Sequence, residues 1–155
     1  MKIRGLTLLE LVITLAIFTG LLLTGSKSFI FLTQKNERQT LINNIKTAVQ
    51  YSKIQAIILG KSVYLTPLNP TENWSKGMML VSFNEITKKM EVIHQWQWNL
   101  RYWNINWIGV DSANRIGLSQ SPSHAISNGK FILDNWRTHE KVMITLNRLG
   151  RVKIG

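Results

Sequence analysis

Cysteine is absent from this 155-residue chain. A disulfide framework and any thiolate metal site are therefore excluded, and whatever domain forms must be held by packing alone. Acids are scarce as well: eight Asp and Glu stand against nineteen Lys and Arg, a formal charge of +11 that falls to +9 without Lys2 and Arg4. Such an excess biases a surface toward nucleic acid, anionic lipid or acidic protein without defining a fold. Solubility, or lysines beside a membrane, would produce the same balance. The signatures of catalysis are missing too, with no Gly-x-Ser-x-Gly, His-Glu-x-x-His, phosphate loop or Rossmann glycine pattern. The acids are scattered, and His94, His124 and His139 have no spacing that suits a metal. No enzymatic activity, metal or cofactor is expected. Repeats and low-complexity tracts are lacking, and the length fits one domain plus an anchor.

What is present is concentrated at the N-terminus. MKIRG precedes LTLLELVITLAIFTGLLL, an eighteen-residue apolar run, Leu6–Leu23, with one charged member. As a helix the run covers roughly 27 Å, close to the bilayer's apolar thickness of about 30 Å. A secretory signal would carry a small-residue cleavage site after the block and lose the block. No such site follows, and the only abrupt boundary lies at Gly5. Residues 1–5 therefore read as a short leader, and 6–25 as a retained transmembrane or fibre-core helix. Glu10 is the anomaly within it. A carboxylate inside a spanning helix costs roughly 2.5–3.5 kcal/mol and needs a partner or a role. If cleavage follows Gly5, the new α-amine of Leu6 on a neighbouring chain would cancel that charge on assembly. The alternative is an acid tolerated near the membrane interface.

Gly5 followed by Leu6-Thr7-Leu8-Leu9-Glu10-Leu11-Val12-Ile13 resembles the class III signal of type IV pilins and type II secretion pseudopilins. The resemblance implies cleavage after Gly5 by a prepilin peptidase, N-methylation of Leu6, and Glu10 as the assembly carboxylate. It also implies other pilin subunits, an assembly platform and its ATPase as partners. The first residue of the cut chain is usually Phe in that family and is Leu6 here.

Downstream, Ser26–Gly60 has no proline. Phe31, Leu41, Ile45, Ala48, Ser52, Gln55–Ala56 and Leu59 trace one side of a helix. Lys35, Arg38, Lys46 and Lys53 fall on the remainder, as on a solvated face, and Gly60 suits a C-cap. The whole helix would run roughly 80 Å, with 26–60 as its amphipathic half. From Lys61 the period changes to two. Ser62–Thr66, Gly77–Phe83, Lys89–Trp98, Asn104–Gly109, Lys130–Asp134, Lys141–Leu146 and Arg151–Ile154 read as strands between turn clusters that include Pro67–Pro70 and Asn84–Glu85. Asp111–Asn128 reads as a polar loop with a short strand at best. The expected fold is α+β: a long N-terminal helix packed on an antiparallel sheet or sandwich head, residues 61–155.

The segment AVQYSKIQAIILGKSVYL resembles the end-of-helix signature of the FimT and pseudopilin H branch of the same family. Asn73–Met78, Asn128–Leu133 and Leu146–Lys153 resemble its later elements. The resemblance implies a minor pilin or pseudopilin in the bacterial inner membrane, head in the periplasm, built into a pilus-like fibre. At the C-terminus, Gly150 suits a hairpin turn between the last two strands. Arg151 and Lys153 share one face of the last strand, and Arg148 projects from the turn. No acid lies between Lys141 and Gly155. In FimT-like minor pilins of DNA-uptake systems a Gly-Arg-x-Arg element here is associated with DNA binding. This chain has Gly150-Arg151-Val152-Lys153, which keeps phosphate attraction but loses the final bidentate fork. Lys130, Arg137 and Lys141 extend the patch only if their loops lie beside the hairpin. The plain alternative is a solvated basic edge strand.

Two functions follow from this. One is a minor pilin binding DNA during natural transformation, and the other is a structural H-type pseudopilin of type II secretion. The aromatics Trp96, Trp98, Trp103 and Trp107 crowd one segment around Arg101. They are expected in the sandwich core rather than exposed for base stacking.

Overall fold

Thr7 opens the first helix. Its hydroxyl accepts the Glu10 backbone N–H at 3.3 Å, while its own N–H and hydroxyl donate to Glu10 Oε2 at 2.9 and 3.0 Å. This is a reciprocal capping box, which satisfies N–H groups that no preceding turn can serve. The structure is a computed structural model. It describes residues 7–69, 74–120 and 127–155, excluding the side chains of 23–28. Helix α1 spans Leu8–Leu59 and ends at Gly60, whose φ of +63° and N–H bond to the Ile57 carbonyl make it the expected C-cap. The chain divides into two units, the first ending at Arg38 and the second Gln39–Gly155.

From Leu8 to Leu22 α1 is exposed and carries large apolar side chains on all sides, Leu8 and Leu9 through Phe18 to Leu21 and Leu22, with Glu10 as its one charged residue. Among the described residues no helix is long and apolar enough to cross a membrane. The span expected at 6–25 falls partly outside the residues to which this applies. Leu6 and the side chains of 23–25 lie outside the described residues, as does the leader 1–5.

Among its described residues the second unit holds eight strands. One sheet has the order β3-β2-β1-β5, built from β1 (Val63–Pro67), β2 (Gly77–Asn84), β3 (Lys89–Gln97) and β5 (Ile116–Leu118). The other has the order β4-β6-β7-β8, from β4 (Trp103–Gly109), β6 (Gly129–Asn135), β7 (Lys141–Leu146) and β8 (Val152–Ile154). Every pairing is antiparallel. Period-two burial explains the strands: β4 alternates Trp103, Ile105 and Trp107 inward, and β7 does the same with Val142, Ile144 and Leu146. These inward faces share one core with Leu41, Ile42, Ile45, Ala48, Val49 and Ala56 of α1. The helix thus packs on two antiparallel sheets.

The expectations shift at several points. Phe31 and Leu59 are exposed, and Ile42 and Val49 take the packed side instead. Lys46 and Lys53 sit half-buried at the margin of the packed side rather than on a solvated face. The outward residues of α1 in this unit, among them Asn43, Thr47, Gln50, Ile54, Ile57 and Ile58, carry no charge at all. Pro67 closes β1 instead of belonging to a turn, and the short strand within Asp111–Asn128 is β5. Of the four crowded tryptophans, Trp103 and Trp107 are core. Trp96 and Trp98 pack against the core but stay half-buried.

Candidate nucleic-acid interface

The β7–β8 hairpin is set by Asn147. Its Oδ1 accepts the N–H groups of Leu149 at 3.0 Å and Arg151 at 2.8 Å, and its backbone N–H donates to the Arg151 carbonyl at 3.1 Å. Gly150 takes φ +71°, the left-handed position the sequence assigned to it, and its N–H returns to the Asn147 carbonyl. The turn is fastened from outside as well. Lys53 of α1 donates through Nζ to the Leu149 carbonyl at 2.9 Å. Arg148, Arg151 and Lys153 are all exposed on this braced hairpin, and β8 is the edge of its sheet.

Register decides which other cations join them. Lys130 lies opposite Thr145, and Thr145 opposite Lys153. The two lysines therefore share the outer face, two strand spacings or about 10 Å apart. Lys141 is on the same face, but at the far end of β7 and opposite Asp134, which offsets its charge. Arg137 belongs to the turn beyond that end, with its guanidinium 5.9 Å over the Tyr102 ring. Five cations are thus brought together (Arg148, Arg151, Lys153, Lys130 and Lys53), while Lys141 and Arg137 are not. Two contributions escaped the sequence reading. Lys53 is 96 residues from its partner, so no local pattern signals it. Asn147 was legible in principle, since Asn commonly bonds backbone two residues on.

Asn147→Ala is expected to cost about 1 kcal/mol, the net worth of a typical hydrogen bond. Amide exchange at Leu149 and Arg151 should quicken, while the β6–β7 amides remain protected.

At the other end of the chain, Glu10 is exposed and bonded to Thr7. The Thr-x-x-Glu spacing of a capping box was readable in the sequence. The cleavage and methylation positions, Gly5 and Leu6, lie outside the described residues, as does His124.

Comparison with protein-family models and with curated proteins finds no match. Solved structures are similar. A crystal structure of the type IV minor pilin FimU of Pseudomonas aeruginosa matches with a TM-score of 0.63 at 12% identity, over 80% of this chain and 92% of the crystallised one. A second FimU crystal form gives 0.56 at 10% identity, over 76% and 91%. At such identities the likeness is one of fold, and it does not single out the FimT and pseudopilin H branch. With its long N-terminal helix packed on two antiparallel sheets, this chain has the type IV pilin fold.

Proposed function

We propose that this chain is a minor pilin that assembles into a type IV pilus-like fibre and binds DNA through its C-terminal hairpin during uptake for natural transformation. The observation that carries the DNA reading is the hairpin itself. Arg148, Arg151 and Lys153 are exposed on a turn braced by Asn147 and Lys53, with Lys130 in register beside them. Cations held this way contact phosphates, release counterions and read no sequence.

The assembly reading is supported by the pilin fold and by two surfaces of α1. The start of the helix, exposed and apolar apart from Glu10 and a few threonines, suits a lipid bilayer before assembly and neighbouring subunits afterwards. The uncharged outward face of its part in the second unit suits a neighbouring protein surface better than water. On this reading a prepilin peptidase cuts after Gly5, Leu6 is methylated, and Glu10 receives the amine of an adjacent subunit. The inner membrane holds the helix, with the head in the periplasm, until the assembly platform and its ATPase move the subunit into the fibre. The second reading, a structural H-type pseudopilin of type II secretion, shares these helix surfaces and differs in having no use for the hairpin cations.

A salt-dependent duplex titration separates the two. The full chain in uncharged detergent would be compared with a variant carrying Arg148→Gln, Arg151→Gln and Lys153→Gln. Three lost phosphate contacts should flatten the slope of log affinity against log salt by about 2.7, on the order of 40-fold between 50 and 200 mM. A slope indifferent to the three substitutions would leave the secretion reading.

A further inference from the structure

At the end of β7 away from the hairpin, the turn after β6 carries Trp136, which is 60% exposed. Every other described tryptophan is buried or half-buried. Its indole N–H donates to the Arg101 carbonyl at 3.0 Å, and its backbone N–H to the Tyr102 carbonyl at 3.1 Å. The turn beneath is braced as well, because buried Asn135 accepts the N–H groups of Arg137 and Thr138 through Oδ1. Trp136 and Tyr102 lie with ring centroids 6.2 Å apart and planes tilted by 34°, and the Arg137 guanidinium sits over Tyr102. A large apolar ring is thus held in water by hydrogen bonds that already satisfy its one polar group. What it offers a ligand is a flat π-face, with a guanidinium one ring away.

We propose that Trp136, with Tyr102 and Arg137, is a stacking site for an unpaired base of single-stranded nucleic acid; the proposal deepens the DNA reading and rests on it. A satisfied indole N–H leaves no donor for reading base edges, so the site tolerates any sequence, because every base has a π-face. A duplex keeps its bases stacked on one another and offers no such face. A protein partner would also use an exposed Trp, but the charge of +11 and the cationic hairpin on the same strand favour a polyanion. The six residues of β7 separate the two sites by about 17 Å at the strand rise. One strand could therefore lie along the sheet, its phosphates on the hairpin and one base on Trp136.

The test compares oligo-dT and a duplex of equal length as probes of the full chain in uncharged detergent, at one salt concentration. Trp136→Ala should weaken oligo-dT binding on the order of tenfold, within the range that stacking spans on alanine substitution, and leave the duplex within twofold. Trp136→Phe, which keeps a ring, should retain most of the single-strand affinity, separating stacking from any loss of fold. Single-strand affinity unchanged in Trp136→Ala, or both probes weakened alike in the two variants, would overturn the site. Duplex binding without any oligo-dT binding would overturn this site and leave the hairpin standing. No binding of either probe would overturn both.

Discussion

Phe131→Ala is expected to lower the stability of the second unit by about 3–5 kcal/mol, measured by denaturant unfolding followed through tryptophan fluorescence. Phe131 is 1% exposed at the middle of β6. It packs edge-on against Trp74 at 5.5 Å and tilted against Trp107 at 4.7 Å. Both tryptophans are anchored: Trp107 donates its indole N–H to the Ser112 carbonyl at 2.9 Å, and the Trp74 carbonyl receives that of Trp98. The rings are therefore poorly placed to collapse into the space left, and the cavity term adds to the lost transfer energy. The absence of cysteine sharpens the outcome. A domain of this kind is stable by only about 5–15 kcal/mol, and here no crosslink stands behind the packing. A loss below about 1 kcal/mol would mean that the core relaxes around the site and that the Trp74 and Trp107 rings do not depend on Phe131.

Gly77→Ala is the second large effect. Gly77 opens β2 at φ +139°, and a Cβ placed there would lie 2.2 Å from the Trp96 carbonyl oxygen of the paired strand. The obstacle is backbone, not the end of a flexible side chain. Strained φ costs about 1–3 kcal/mol and overpacking about 1–3 kcal/mol more, so a loss of about 2 kcal/mol or greater is expected. The damage should be local. Gly77 pairs with Gln97 at the end of edge strand β3, and its carbonyl accepts the Leu68 N–H at 3.1 Å. Amide exchange should therefore rise at Leu68 and along the end of β3, while the β6–β7 amides keep their protection. Uniform loss of protection across both sheets would place the strain elsewhere.

Much of this fold could be read from pattern. The strand Lys141–Leu146 was legible to the residue because its apolar side chains alternate without interruption. The end of α1 was legible because Gly60 alone suits a left-handed C-cap. Phe31 and Leu59 were misassigned for a physical reason: helical spacing tells which residues share a side, not how far along the helix that side remains covered. β5 was barely visible, since three residues between polar neighbours carry too little periodicity. In the candidate interface, Arg148, Gly150, Arg151 and Lys153 were legible because hairpin chemistry is local. Lys130, Arg137 and Lys141 were not separable, because their relation to the hairpin depends on register across the sheet. Trp136 went unnoticed beside the four crowded tryptophans, although it is the one the fold leaves exposed.

By itself the sequence determined the components of this protein. These are an apolar N-terminal run with one carboxylate, a long helix, a cysteine-free β-rich head, and a cationic last hairpin. Each depends on interactions between near neighbours in the chain, which spacing alone expresses. Only the tertiary structure decided which side of α1 is covered, that Lys53 holds the hairpin turn, and that Lys130 rather than Arg137 stands beside Lys153. It also decided that Trp136 faces water. Those outcomes depend on strand order, register and packing between residues far apart in the chain, where no local pattern carries the information.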